Sequence, residues 1–216
     1  MKRLSVTNFF LLLSFFAFAA GGGYAVTNIP DALKKNANVV KRIEEERFTL
    51  RSPGEAVYYC KYALTILNEN GDKHASFQQY FDKFVEIKNI EGALFDAMGN
   101  KVKELKNKDV QDFSGSDFSL IDDKRVKYHS FYYKSYPYTV EYVVELKYNG
   151  TMFYPSWTPV ADEYFAVQQS KFIFECPLNY QFRYKAFHYN GQALEQTTDK
   201  KRMTWEIKDA AAIVRE

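Results

Sequence analysis

From Tyr138 to Tyr148 the chain repeats with a period of two. Tyr138, Val140, Tyr142, Val144, Leu146 and Tyr148 are apolar or aromatic, and Thr139, Glu141, Val143, Glu145 and Lys147 fall between them. Successive side chains on a strand point to opposite faces, so an extended backbone gathers the apolar set on one side. A helix would scatter the same residues around its axis. The run predicts a strand with one dry face and one mostly wet face, and such a strand needs partners to be stable.

Other segments supply partners. Arg125 to Tyr133 alternates in the same way, and Tyr136-Pro137 separates it from the first run, so the two are expected to form an antiparallel pair. Glu55 to Leu67 is rich in Tyr, Val, Ile and Thr and ends at the turn residues Asn68 to Asp72. Phe84 to Phe95, the turn Ala97 to Asn100 and Lys101 to Leu105 predict a hairpin. Phe165 to Glu175, Tyr180 to Phe187 and Arg202 to Lys208 each alternate, with a tight turn expected at Asn190-Gly191. The charged stretch Asn38 to Leu50 is read as a strand because Arg47 to Leu50 alternates before Ser52-Pro53-Gly54. Pro30 to Asn36 predicts one short helix, with Pro early and Asp31 in its first turn. His74 to Lys83 fits a helical turn or a strand, and Asp109 to Lys124 reads as a long polar surface loop. Eight or more strands separated by turns predict an all-β fold, a mostly antiparallel β-sandwich with little helix.

The first residues read as an export signal. Lys2 and Arg3 precede an apolar run from Phe9 to Ala20, and Ala17-Phe18-Ala19 offers a small-x-small cleavage site before Gly21. The run falls short of the ~20 apolar residues that span a bilayer, which disfavours an uncleaved anchor. Residues 1–19 are therefore assigned to a signal peptide, 20–28 to a short extension and 29–216 to a single domain. The expected location is the periplasm, the outer envelope or the medium, with no membrane span after cleavage. Without Lys2 and Arg3 the remaining 27 basic residues balance 27 acidic ones. That balance speaks against a nucleic-acid partner, and an 18% aromatic content excludes a disordered chain.

A search for chemistry finds few candidates. Cys60 lies inside a strand and Cys176 closes another, so neither has the electropositive niche of a reactive thiol. They are read as buried hydrophobes or as one disulfide, which export permits. The three His are far apart in sequence, and no metal or cofactor is expected. Asp117, Asp122 and Asp123 cluster beside Lys124 and Arg125, without the spacing of a calcium loop. The segment Met152 to Pro159 holds Phe153, Tyr154 and Trp157 between prolines. Its rings either plug one end of the sandwich or stand out to bind a sugar or a peptide. Tyr154 and Trp157, with Asp117, Asp123 and Arg125, are the candidate binding residues.

Several stretches resemble a known family. Lys61 to Gly71 (KYALTILNENG), Phe84 to Asn100 (FVEIKNIEGALFDAMGN) and Lys101 to Asp112 (KVKELKNKDVQD) form one run. Phe118-Ser119-Leu120, Asp123-Lys124-Arg125, Tyr136 to Tyr142, Phe153 to Trp157 and Ser170-Lys171-Phe172 extend it. Together they resemble the bacterial domain of unknown function numbered thirty-eight fifty-seven, which precedes transglutaminase-like domains in exported proteins. The resemblance implies a mostly antiparallel β-sandwich. Family members usually continue into a papain-like domain with a Cys-His-Asp triad, whereas this sequence stops at Ile213 to Glu216 with no triad segment. It is read as a stand-alone copy or as the front of a longer protein. The expectation is a non-catalytic accessory module for a transglutaminase-like domain or another envelope protein; the alternative is a glycan-binding module using the loop aromatics.

Overall fold

The computed structural model describes residues 23–114 and 123–214. The segment read as a signal peptide, and Asp117 and Asp122 of the acidic loop, lie outside the described residues. The fold is all-β with little helix. One short helix, α1 (Asp31–Lys34), precedes β1 (Val39–Ser52) and β2 (Glu55–Ile66). A 3-10 turn at Glu69–His74 leads into β3 (Phe77–Phe81), β4 (Val85–Phe95), β5 (Lys101–Glu104) and β6 (Gln111–Ser114). Then follow β7 (Arg125–His129), β8 (Tyr138–Tyr148), β9 (Phe165–Cys176), β10 (Leu194–Thr197) and β11 (Lys201–Ala210). Eight strands form a mixed sheet in the order β10-β11-β9-β1-β2-β8-β4-β5, and β3-β7-β6 form a small antiparallel sheet. Pairing is antiparallel throughout the described residues except between β1 and β9, which run parallel.

The small sheet packs face to face on the large one. Tyr142 of β8 is fully buried, its ring stacked 5.2 Å from Phe77 of β3 and 5.8 Å from Phe131 beyond β7, and its hydroxyl lies 2.9 Å from Nδ1 of His129. On β4 the residue opposite this ring is Gly92, where an added Cβ would meet the ring at 2.9 Å. The second part of the same face, around Phe48, Phe172, Phe174 and Trp205, has no sheet over it. The segments 149–164 and 177–193 cover it instead, through Trp157, Tyr180, Phe182 and Tyr189. On the opposite face, Ile29, Leu33 and Ala37 around α1 pack on Val40 and Ala166.

Several expectations are corrected. Arg125 to Tyr133 does not pair with β8: β7 pairs with β3 and β6, and β8 lies between β2 and β4. The two alternating segments meet through their apolar faces across the core rather than edge to edge. Tyr180 to Phe187 alternates but forms no strand, because Phe182 and Tyr184 point onto Phe174 and Trp205 without a ladder. The turn of the last hairpin is at Thr198 to Lys200, not at Asn190-Gly191. The polar stretch after Asp109 contains β6, polar because all four of its residues are exposed at a sheet edge. The Asn68 to Asp72 signal opens a 3-10 turn, and the His74 to Lys83 ambiguity resolves into the end of that turn followed by β3.

Tyr142 joins the two sheets, so truncating it empties the centre of the core. Tyr142→Ala is expected to destabilise the chain by about 3–5 kcal/mol. Tyr142→Phe, which loses only the contact to His129, should cost about 1 kcal/mol. Urea denaturation of both variants checks the order.

Candidate functional site

The sequence candidates do not converge. Tyr154 is 41% exposed, but its ring lies 5.4 Å from Phe48 and 6.0 Å from Phe174, and its hydroxyl is 2.7 Å from that of Tyr180. Trp157 is half-buried; its Nε1 donates to Ser170 Oγ at 2.8 Å and its ring meets Tyr189 edge-on. In this loop the ring that faces solvent is Phe153, 75% exposed. Arg125 belongs to the small sheet, where its Nε donates to Asp112 Oδ1 at 2.9 Å, and Lys127 reaches the other oxygen of the same carboxylate. Asp123 is exposed two residues before it. Tyr154 and Trp157 thus share one cluster, and Arg125 sits in the other sheet.

The proposed disulfide is not formed: Cys60 and Cys176 are free, buried thiols. The central strand β1 separates β2 from β9. Two strand spacings amount to roughly 9–10 Å, beyond the ~7 Å that a disulfide tolerates between Cα atoms. Burial, reinforced by the nearby carboxylates of Glu46 and Glu44, pushes the Cys60 thiol up, which keeps it protonated. Among the described residues no group of three or more His, Cys, Asp or Glu is placed to hold a metal, and no helix is long and apolar enough to cross a membrane.

A cleft that sequence reasoning missed opens beside the small sheet. It has a volume of about 250 Å³, and its lining includes Asp72, Lys134, Tyr128, Tyr132, Tyr133 and Tyr138. Asp72, placed by the 3-10 turn, is its polar anchor. Tyr136 donates to Asp72 Oδ2 at 2.7 Å, Tyr138 to Oδ1 at 3.1 Å, and Lys134 also donates to Oδ2. Burial pushes the Asp72 carboxyl up, but the hydrogen bonds from Lys134, Tyr136 and Tyr138 outweigh it and hold it below the usual range. Tyr132 stands at the rim, 74% exposed, with φ of 51°. A bulky residue in that left-handed region is uncommon. The sequence signal was available: five tyrosines fall within the eleven residues from Tyr128 to Tyr138.

The cleft continues into the outer face of the small sheet. Gln78, Tyr128 and Gln111 lie in one cross-strand row, and Tyr80, Val126 and Phe113 in the next. Tyr80 is 57% and Phe113 48% exposed. Tyrosine and other aromatics on an open surface offer large contact area at low entropic cost, which suits recognition. The lining residues include Ser76 and Ser130 and one carboxylate, Asp72, which Lys134, Tyr136 and Tyr138 engage.

Asp72 ties residues 134–138 to the 3-10 turn, and its contribution depends on its charge. The lowered carboxyl stabilises the fold above its unfolded range near pH 4, and that share is lost as pH falls through the folded value. Because Asp72 is partly open to water, Asp72→Asn is expected to cost about 1–2 kcal/mol at pH 7. The gap to the parent chain should close below about pH 4, as read from urea midpoints across the range.

Comparison with known proteins adds the following. The sequence matches the domain of unknown function with a solved structure, DUF3857, over residues 52–214. No curated protein matches it. Among solved structures, a candidate protease from Parabacteroides distasonis ATCC 8503 is similar, with a TM-score of 0.70 and 14% identity over 83% of this chain and 37% of that one. An M1 zinc metallopeptidase from Deinococcus radiodurans (TM-score 0.36, 8% identity, 78% of this chain, 39% of that one) carries no argument at that level. Neither does aminopeptidase A from Legionella pneumophila (0.40, 10%, 87% and 21%). The chain thus spans well under half of each of these proteins, and at 14% identity the Parabacteroides likeness speaks for fold alone. The family match starts at the last residue of β1 and runs through β11, three quarters of the sequence, and on that coverage the protein belongs to the DUF3857 family.

Proposed function

We propose that the protein is an exported, non-catalytic interaction module, and that the outer face of the small sheet and the adjoining tyrosine cleft dock a transglutaminase-like domain. The observation that carries this reading is the set of open aromatics on and beside the small sheet: Tyr80 and Phe113 in one cross-strand row, and Tyr132 at the rim of the adjoining cleft. Exposed aromatic surface of this kind is costly to leave in water and is typical of the centre of an interface. The occupant is argued from the sequence resemblance and from the company the fold keeps: in the Parabacteroides protein the similar region belongs to a chain nearly three times as long. Export follows from the basic start, apolar run and small-residue site of the first twenty residues.

The test is calorimetric titration of the mature chain with a transglutaminase-like protein of the same cells. Tyr80→Ala, Phe113→Ala and Tyr132→Ala are each expected to weaken binding by about 1–2 kcal/mol, roughly tenfold, without moving the urea midpoint. Absence of binding, or binding indifferent to all three, would sink the reading. Binding of a soluble envelope polysaccharide instead, with a shift in tryptophan emission, would favour a glycan-binding module.

A further inference from the structure

Away from the cleft, the core contains charge that no docking reading uses. On β1, Lys41, Glu44 and Glu46 are buried, and Glu46 sits at the seam between the two halves of the core: it faces Cys60 of the first cluster and Phe172 of the second. Glu44 accepts from Lys41 Nζ at 2.5 Å and from Ser170 Oγ at 2.5 Å. Ser170, itself fully buried, accepts from Trp157 Nε1. A continuous chain of hydrogen bonds therefore runs from the Lys41–Glu44 ion pair to the segment 149–164 that covers this half of the sheet. Glu46 has a poorer environment. It accepts from a neutral donor, the Tyr58 hydroxyl, at 2.8 Å.

We propose that Glu46 is a proton-operated latch: with its proton in place the 149–164 segment stays docked on the large sheet, and loss of that proton as the medium turns alkaline releases it. The two carboxylates lie two residues apart on one face of one strand and share a single cation, Lys41. A neutral Glu46 leaves the Lys41–Glu44 pair balanced. An ionised Glu46 adds a second negative charge to a dry site, which is costly unless water enters. Water is admitted by lifting Trp157 from Ser170, because the segment has no regular secondary structure. Its other side-chain bonds lie on either side of Trp157: Thr151 to the Pro53 carbonyl and Tyr154 to Tyr180 before it, and Lys73 to Asp162 after it.

The groups around the pair are consistent with this assignment. From β2 come Tyr58, Cys60 and Tyr62, and from β8 Tyr148; burial pushes all four up and away from neutral pH. From β9, Ser170 and Phe172 carry no charge, and Lys171 points to the other face, to Glu45. Burial, with the charge of Glu44 added, pushes the Glu46 carboxyl up to about 7, against smaller opposing effects of Tyr58 and Lys41. On the segment itself, Asp162 is approached by Lys73 and by His74 Nε2 at 3.6 Å, Tyr154 bonds Tyr180, and Trp157 meets the Tyr189 ring.

The experiment reads Trp157, one of two tryptophans, in a Trp205→Phe background by emission and acrylamide quenching from pH 5 to 9. The expected result is a red shift and a loss of protection from quenching with a midpoint near 7, while far-UV circular dichroism stays constant. Glu46→Gln, which keeps an acceptor for Tyr58 and cannot ionise, should abolish the transition and leave Trp157 protected throughout. His74→Asn should retain it. If Trp205→Phe does not fold, hydrogen exchange of residues 149–164 in the parent chain at pH 6 and pH 8 gives the same readout. A flat profile overturns the proposal. So does a transition that survives Glu46→Gln, one removed by His74→Asn, or one accompanied by loss of the far-UV signal.

Discussion

β1 must run through the centre of the large sheet while keeping Lys41, Arg42, Glu44 and Glu46 out of water. A buried charge is tolerated only with partners, and the search for partners organises the neighbourhood. Lys41 and Ser170 serve Glu44, and Tyr58 serves Glu46. Arg42 donates to Gln168 at 2.9 Å, to the carbonyl of Tyr24 at 3.1 Å and to Thr65 at 3.4 Å. Two of these partners, Gln168 and Ser170, lie on β9, so the parallel pairing that breaks an otherwise antiparallel sheet is also the pairing that satisfies the central charges. The Arg42 contact also draws the N-terminal stretch over the sheet, where the Tyr24 hydroxyl reaches Glu141.

The inner face of the large sheet is covered in two different ways. Over β2, β8 and β4 the small sheet forms a layer, and the Tyr142, Phe77 and Phe131 rings stack at its centre. Over β1, β9 and β11 two irregular segments do the same work with Trp157, Tyr180, Phe182 and Tyr189. The first covering is held by ladder hydrogen bonds, and the outer side of its sheet stays open to solvent at Tyr80 and Phe113. The second is held by packing and a few polar contacts, which makes it the part of the core that a change in charge beneath it can move.

Strands were legible where a two-residue period met burial on one side. Tyr138 to Tyr148 needed no more than that. Tyr180 to Phe187 has the same period for another reason: alternate rings reach down onto Phe174 and Trp205 from a segment that forms no ladder. Period reports which side chains face a surface, and it does not report which backbone groups pair. β6 went unseen because an edge strand with every residue exposed has no apolar face to show. The tyrosine cleft was visible only as local density of one residue type. Its anchor, Asp72, lies over fifty residues before Tyr128 and comes from a turn read simply as a strand end. Tyr154 and Trp157 were singled out as aromatics in a loop, but whether a loop ring faces water or the core depends on what the fold leaves uncovered beneath it.

By itself the sequence determined the class of the fold, the main strands and the balance of charge, because alternation and composition are local properties of the chain. It also determined the family, through motifs that keep their order along the chain. Only the tertiary structure decided which strands are neighbours, because pairing brings together residues far apart in sequence and depends on apolar faces that must be matched all at once. For the same reason it alone decided that Cys60 and Cys176 stay apart, that the charges of β1 find partners on β9, and that Tyr136 and Tyr138 meet Asp72 at the edge of a tyrosine-lined cleft.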